Sequence, residues 1–240
     1  MSAKSRQLTQ RDESYPRETL KPLHCLIFIL PMLVFFHWGT RYYRMGLLAE
    51  HSLRRVLSYF GGTALYLPPL AVISVLLGQH LIKRDRWELR LRVLGGMAVE
   101  SVVLIVPLIA LSYITTRAFM TAVEPESAGH LGSILVGVGG GIYEEFVFHL
   151  LAIGIIMLIF VDGLSLPKIP VAVFAVASTA VLFGLFHTNA PPFYGIETFS
   201  AKTFTFRIVA GLYLGVLFIL RGFGVAVGTH VMWNIYVCVM

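Results

Sequence analysis

Charge is what this 240-residue chain has least of. Only 13% of its residues are Asp, Glu, Lys or Arg, against about a quarter in a soluble domain, and 57% are hydrophobic. With a mean hydropathy of +0.78, this excludes an ordinary soluble globular domain and indicates an integral membrane protein. Cysteine is nearly absent. Cys25 and Cys238 fall in opposite terminal spans without zinc-ligand spacing, and both read as small apolar fillers. Polar sequence is confined to residues 1–22, which read as a disordered cytosolic tail. A cleavable signal peptide is not expected, because the first apolar run starts too late and lacks a small-residue cleavage site. The absence of an internal repeat counts against an inverted-repeat transporter. The net charge of +6 and pI near 9.5 do not indicate nucleic acid as a partner. Arg41 and Arg44, Arg54-Arg55 and Lys83-Arg84-Asp85-Arg86 flank apolar runs, where basic residues meet lipid headgroups.

What remains is apolar sequence in span-sized lengths. A membrane-crossing helix needs about 20 mostly apolar residues. Segments 23–39, 57–81, 93–115, 132–161, 169–187, 204–220 and 223–240 meet that pattern to within a few residues. The expected fold is an all-α, polytopic transmembrane helical bundle with about seven spans and one or two interfacial helices. The strongest interfacial candidate is 83–92, with Trp87 at headgroup level, and 41–56 is a second. Pro68-Pro69 should kink the second span, and the fourth is long enough to tilt or to break near its glycines. The Lys/Arg distribution favours a cytoplasmic N-terminus.

Inside the fourth span lie two adjacent glutamates, Glu144 and Glu145. Carboxylates at membrane depth cost several kcal/mol unless paired, protonated or facing a wet cavity, so an intramembrane ionisable residue marks a functional site. Glu145 can reach His149 one helical turn on, whereas Glu144 points about 100° away, toward a cavity. His187 and the pair His230 and Asn234 fall in other spans. A carboxylate base, a histidine sharing its water, and two donors one turn apart form a kit for amide hydrolysis without a covalent intermediate. His24 and His37 read as structural. Glu100 lacks a partner in the sequence, and Tyr143, Phe146 and Phe148 read as packing residues. Gly137 and Gly141, a small-xxx-small pair, should permit close approach of another helix or of a substrate strand.

Glu144-Glu145, then Phe183 to His187, then His230 to Asn234, in that order on successive spans, resemble the CPBP family, the CAAX protease and bacteriocin-processing (Abi) intramembrane proteases. The resemblance covers roughly 93–240, leaving 23–92 as N-terminal spans and interfacial helix. It implies an intramembrane glutamic endopeptidase acting on a membrane-anchored, prenylated or sorting-tagged protein or peptide. Glu144 and His187 would activate water, His230 and Asn234 would hold the oxyanion, and Glu145 would support them. No cofactor is implied by that mechanism. If the family's older description as metalloproteases applied, Glu144, His187 and His230 would be the ligands of zinc or another divalent metal, although the His-Glu-x-x-His signature is absent. The family's Glu-Glu-x-x-x-Arg becomes Glu-Glu-x-x-x-His149 here. An altered but active enzyme is the expectation, and an inactive scaffold or immunity-type protein of the same fold is the alternative. The expected location is a bacterial plasma membrane, or an endoplasmic-reticulum membrane for a prenyl-protein peptidase.

Overall fold

A computed structural model of the chain describes residues 14–43, 67–115, 129–188 and 199–240. These residues are helical apart from short connections. In order they form α1 (Tyr15–Thr19), α2 (Pro22–Tyr43), α3 (Leu67–Lys83), α4 (Leu91–Val103), α5 (Val106–Thr115), α6 (Gly129–Glu144), α7 (Lys168–Phe186), α8 (Ala201–Arg221) and α9 (Phe223–Val239). Helix α6 continues as π-helical turns over Glu145–Ile153, a short α segment Gly154–Met157 and a second π-helical segment Leu158–Gly163.

Among the described residues, five helical segments are long and apolar enough to cross a membrane: Pro22–Thr40, Leu91–Thr115, His130–Gly163, Lys168–Phe186 and Ala201–Arg221. Helices α3 and α9 are apolar but shorter. The outward surface carries large apolar side chains such as Val34, Val99, Ile114 and Val173. That much exposed apolar area would be a liability in water and suits a lipid surround. The chain is an integral membrane protein with an all-α polytopic fold.

Helix α9 occupies the centre. Its first nine residues, Phe223 to Val231, are all buried, and it packs on α2, α4, α6 and α8. Two glycines let it sit there. At Gly141 of α6 an added Cβ would lie 2.6 Å from the Val231 side chain and 2.9 Å from its backbone nitrogen, so the two helices touch backbone to backbone. Gly222, between α8 and α9, has φ of 88°, and a Cβ there would lie 2.5 Å from the Thr19 carbonyl oxygen. Only glycine meets both conditions without strain. The close partner of the α6 glycines is thus helix α9.

Several expectations need correction. The stretch 83–92 does not form an interfacial helix, because residues 85–90 are non-helical. Tertiary contacts hold it open. The Arg90 backbone N–H donates to His24 Nε2 at 3.3 Å, Arg90 pairs with Glu18 at 3.5 Å, and the Trp87 ring sits edge-on to His80. Trp87 itself remains exposed. The second interfacial candidate, 41–56, lies outside the described residues beyond Tyr43. The tail 1–22 is not disordered throughout. Residues 15–19 form α1, where Glu18 and Thr19 are buried against the bundle; residues 1–13 are outside the described set. Pro68-Pro69 lie at the edge of the described residues, in the first described turn of α3, and the segment 57–66 that would show a kink lies outside them. The third span breaks at Leu104–Ile105, just before Pro107, and Tyr213 donates to the Leu104 carbonyl at 2.9 Å. The fourth span changes its winding at Glu145 rather than at its glycines.

Candidate active site

The change to π-helical winding falls on the glutamate pair. Such turns are uncommon and often occur at functional sites. Here the winding carries the two carboxylates into different surroundings. The Glu145 side chain is fully buried, and Glu144 keeps 16% exposure and lines a cavity of about 180 Å³.

Glu145 is held by two histidines. His149 Nδ1 lies 2.6 Å from Glu145 Oε2, one turn along the same helix. His230 Nδ1, from α9, lies 2.8 Å from Oε1. The second nitrogen of His149 faces the Gly211 carbonyl of α8 at 3.2 Å. A carbonyl only accepts, so Nε2 carries a proton. The contact with Glu145 needs a second proton, on Nδ1 or on the carboxyl. The Glu145–His149 pair therefore holds no net charge, as a Glu–Arg pair would.

Glu144 meets two other ring nitrogens. His187 Nε2 is 3.5 Å from Oε1, and His230 Nε2 is 3.6 Å from Oε2. His187 donates from Nδ1 to the Phe183 carbonyl at 2.8 Å, which leaves Nε2 turned to the cavity. The Phe183 ring lies 4.8 Å from the His187 ring and 6.0 Å from that of His230. The Phe-x-x-x-His spacing thus supplies both an acceptor and a wall that orient the imidazoles. Asn234, one turn beyond His230, donates from Nδ2 to the Gly137 carbonyl at 3.0 Å. Its second amide hydrogen stays available, and Asn234 lines the same cavity. Among the described residues, no group of three His, Cys, Asp or Glu is arranged to hold a metal ion.

Glu144, His187, His230 and Asn234 therefore line one cavity, with Glu145 and His149 packed behind it. Tyr143 is buried, and its hydroxyl hydrogen-bonds with His37 Nε2 at 2.5 Å, which ties α2 to the glutamate turn. Cys238 also lines the cavity. Glu100 is distant from this set: Arg221 grips both its oxygens at 2.5 and 2.7 Å, and Tyr15 donates to it at 2.7 Å. One cavity residue was missed in the sequence. Arg207 of α8 shares the wall with Glu144 and His230. The rule that singled out the glutamates, an ionisable residue within an apolar span, applies equally to Arg207.

Comparison with known families agrees with the motif order. Residues 127–236 match the family described as Rce1-like, type II CAAX prenyl endopeptidase Rce1-like. The chain is similar to that family over this segment, a little under half of its length. The match takes in Glu144, Glu145, His187, Arg207, His230 and Asn234 and leaves the N-terminal spans outside. No curated protein and no solved structure matches the chain significantly.

Proposed function

We propose that this Rce1-like chain is an intramembrane endopeptidase that hydrolyses a peptide bond of a lipidated or membrane-anchored protein by glutamate-activated water. The observation that carries the reading is the cavity-facing Glu144 carboxylate, met at 3.5 and 3.6 Å by Nε2 of His187 and of His230. A water seated against Glu144 and His187 gives a proton to the carboxylate as its oxygen attacks the scissile carbonyl carbon. The carbonyl oxygen becomes an oxyanion that accepts from Asn234 Nδ2 and from His230 Nε2. The His230 contribution requires both its nitrogens protonated, because Nδ1 is already committed to Glu145. Collapse of the intermediate breaks the C–N bond, and the proton held by Glu144 passes to the leaving amine. Glu145 and His149 touch no substrate, and they set the position and protonation of His230.

The family likeness supports one substrate class, a protein ending in a prenylated C-a-a-X sequence. No metal is required by these steps, since an amide side chain such as Asn234 is a good oxyanion donor and a poor zinc ligand. The test is cleavage of farnesylated C-a-a-X peptides by purified wild type and Glu144→Gln in lipid nanodiscs, with and without a chelator. The expected outcome is cleavage by wild type, a loss of about 10²- to 10⁴-fold in Glu144→Gln, and no effect of chelator. Undiminished turnover by Glu144→Gln would rule out the glutamate mechanism, and chelator-sensitive turnover would return Glu144, His187 and His230 to the role of metal ligands.

A further inference from the structure

The cavity-facing stripe of α6 runs through Ser133, Gly137, Gly140 and Glu144, three or four residues apart. Helix α9 accounts for two of the α6 glycines. An added Cβ would lie 3.1 Å from Asn234 Cβ at Gly137 and 2.6 Å from the Val231 side chain at Gly141, both closer than ordinary contact. Gly140 is different. A Cβ there would lie 3.5 Å from Asn234 Nδ2 and 3.7 Å from Glu144 Oε1, which are ordinary contact distances. Among the described residues, no other atom beyond its own helix backbone and its chain neighbours comes within 4 Å. Gly140 lies inside α6, in a conformation that alanine favours over glycine. Neither packing nor backbone conformation therefore calls for glycine at 140.

What the missing side chain leaves free is space between two groups that the peptide chemistry uses. Glu144 must hold the attacking water, and Asn234 Nδ2 must meet the developing oxyanion at about 2.7–3.1 Å. The scissile carbonyl has to lie within reach of both. A methyl at Gly140 would touch both groups and stand in that space. A cavity of about 150 Å³ holds one benzene-sized group. This one is about 180 Å³, so a peptide has little room to shift around an added methyl. Close approach of another backbone is a recurrent use of glycine.

We infer that Gly140 is a substrate-contacting residue, whose missing side chain seats the peptide backbone at the scissile bond between Glu144 and Asn234. This rests on the peptidase reading above. The α6 glycines then divide their work: Gly137 and Gly141 admit helix α9, and Gly140 admits the substrate. A methyl at 140 excludes substrate while leaving the bundle intact, the reverse of a methyl at 141. Gly154, further along the same span, provides a control. It is exposed and does not line the cavity, and a Cβ there would meet no described atom within 4 Å.

The experiment measures binding of a dansylated, farnesylated C-a-a-X peptide by fluorescence anisotropy on the Glu144→Gln protein, with and without Gly140→Ala. Cleavage is measured on the protein that keeps Glu144, again with and without Gly140→Ala, and Gly154→Ala is the reference in both assays. Gly140→Ala should weaken binding and lower kcat/KM by roughly 10- to 100-fold, the range expected when a methyl overfills a packed contact. Its unfolding temperature in detergent should be no lower than that of wild type. Gly154→Ala should leave binding and turnover unchanged. Undiminished binding by the Gly140→Ala protein would overturn the inference, whether or not turnover fell. A loss of binding matched by a fall in unfolding temperature would make Gly140 a packing residue and overturn it too, as would an equal loss in Gly154→Ala. Absence of peptide binding by the Glu144→Gln protein would reject both the seat and the peptidase reading. Gly140-dependent binding with no cleavage by wild type would uphold the seat and reject the peptidase reading alone.

Discussion

Glu100 on α4 and Glu145 on the π-helical turn after α6 are carboxylates held between helices in contrasting company. Glu100 is gripped by the Arg221 fork and by the Tyr15 hydroxyl, and the Arg221 guanidinium lies 5.1 Å above the Tyr15 ring. Burial and the Glu100 carboxylate push the Tyr15 hydroxyl above its ordinary range, so it remains a donor at any physiological pH. The Arg221 guanidinium keeps its charge throughout. Glu145 is held entirely by histidines, the one side chain whose ordinary titration falls there. The first centre is a fixed clamp that fastens α1, α4 and α8 together. The second sits one residue from a cavity-facing carboxylate and shares His230 with it. Arginine serves where charge must stay fixed, and histidine where protons are to be rearranged.

Removing each carboxylate should separate the two roles most strongly. Glu145→Ala leaves imidazoles facing an emptied buried site, and breaking a buried pair of this kind costs about 3–5 kcal/mol. Because His230 loses its Nδ1 partner as well, turnover per folded molecule should fall along with the unfolding temperature in detergent. Glu100→Ala acts on a partly exposed cluster, with an expected cost of about 1–3 kcal/mol. Its turnover per folded molecule should equal that of wild type. Equal catalytic damage from the two substitutions would abolish the distinction between clamp and site.

A substitution at the contact between α6 and α9 sharpens the comparison by disturbing geometry without touching charge. Gly141→Ala puts a methyl 2.9 Å from the Val231 backbone nitrogen, so α9 must move away from α6. Overpacking of this sort costs about 1–3 kcal/mol. The shift also changes the spacing of His230 and Asn234 from Glu144, so kcat should fall while the Glu100 cluster stays intact. Ordinary kcat with lowered stability would mean that the cavity tolerates displacement of α9.

The candidate site was more legible in the sequence than the clamp. Glu145 and His149 are one turn apart, as are Phe183 and His187 and His230 and Asn234, so helical spacing alone brought each pair onto one face. Their order along the chain then indicated the family. Glu100 offered no such clue, since Arg221 lies 121 residues away and Tyr15 was assigned to a disordered tail. Pairing across that distance leaves no periodicity behind. The change of winding at Glu145 and the open backbone at 85–90 were equally hidden, because tertiary contacts override local preference there. Arg207 had a local signal, a cation within an apolar run, but was taken as part of the span that contains it.

The smallest expected effect belongs to His149→Arg, which converts the titratable partner of Glu145 into a fixed one. Donating to Gly211 and meeting Glu145 at once needs a proton shared between His149 and Glu145. Without that proton one of the two contacts has no donor. An arginine keeps its protons throughout. Space is tight, because an added Cβ at Gly215 would already lie 3.2 Å from His149 Nε2, so a modest loss of stability is expected. Near neutral pH the variant should retain activity, and its activity should decline less than that of wild type on the alkaline side. A pH–rate profile on a C-a-a-X peptide measures this directly. Superimposable alkaline limbs would show that the Glu145–His149 pair is as static as Glu100–Arg221, and that the pH response of the site arises at His187 or His230.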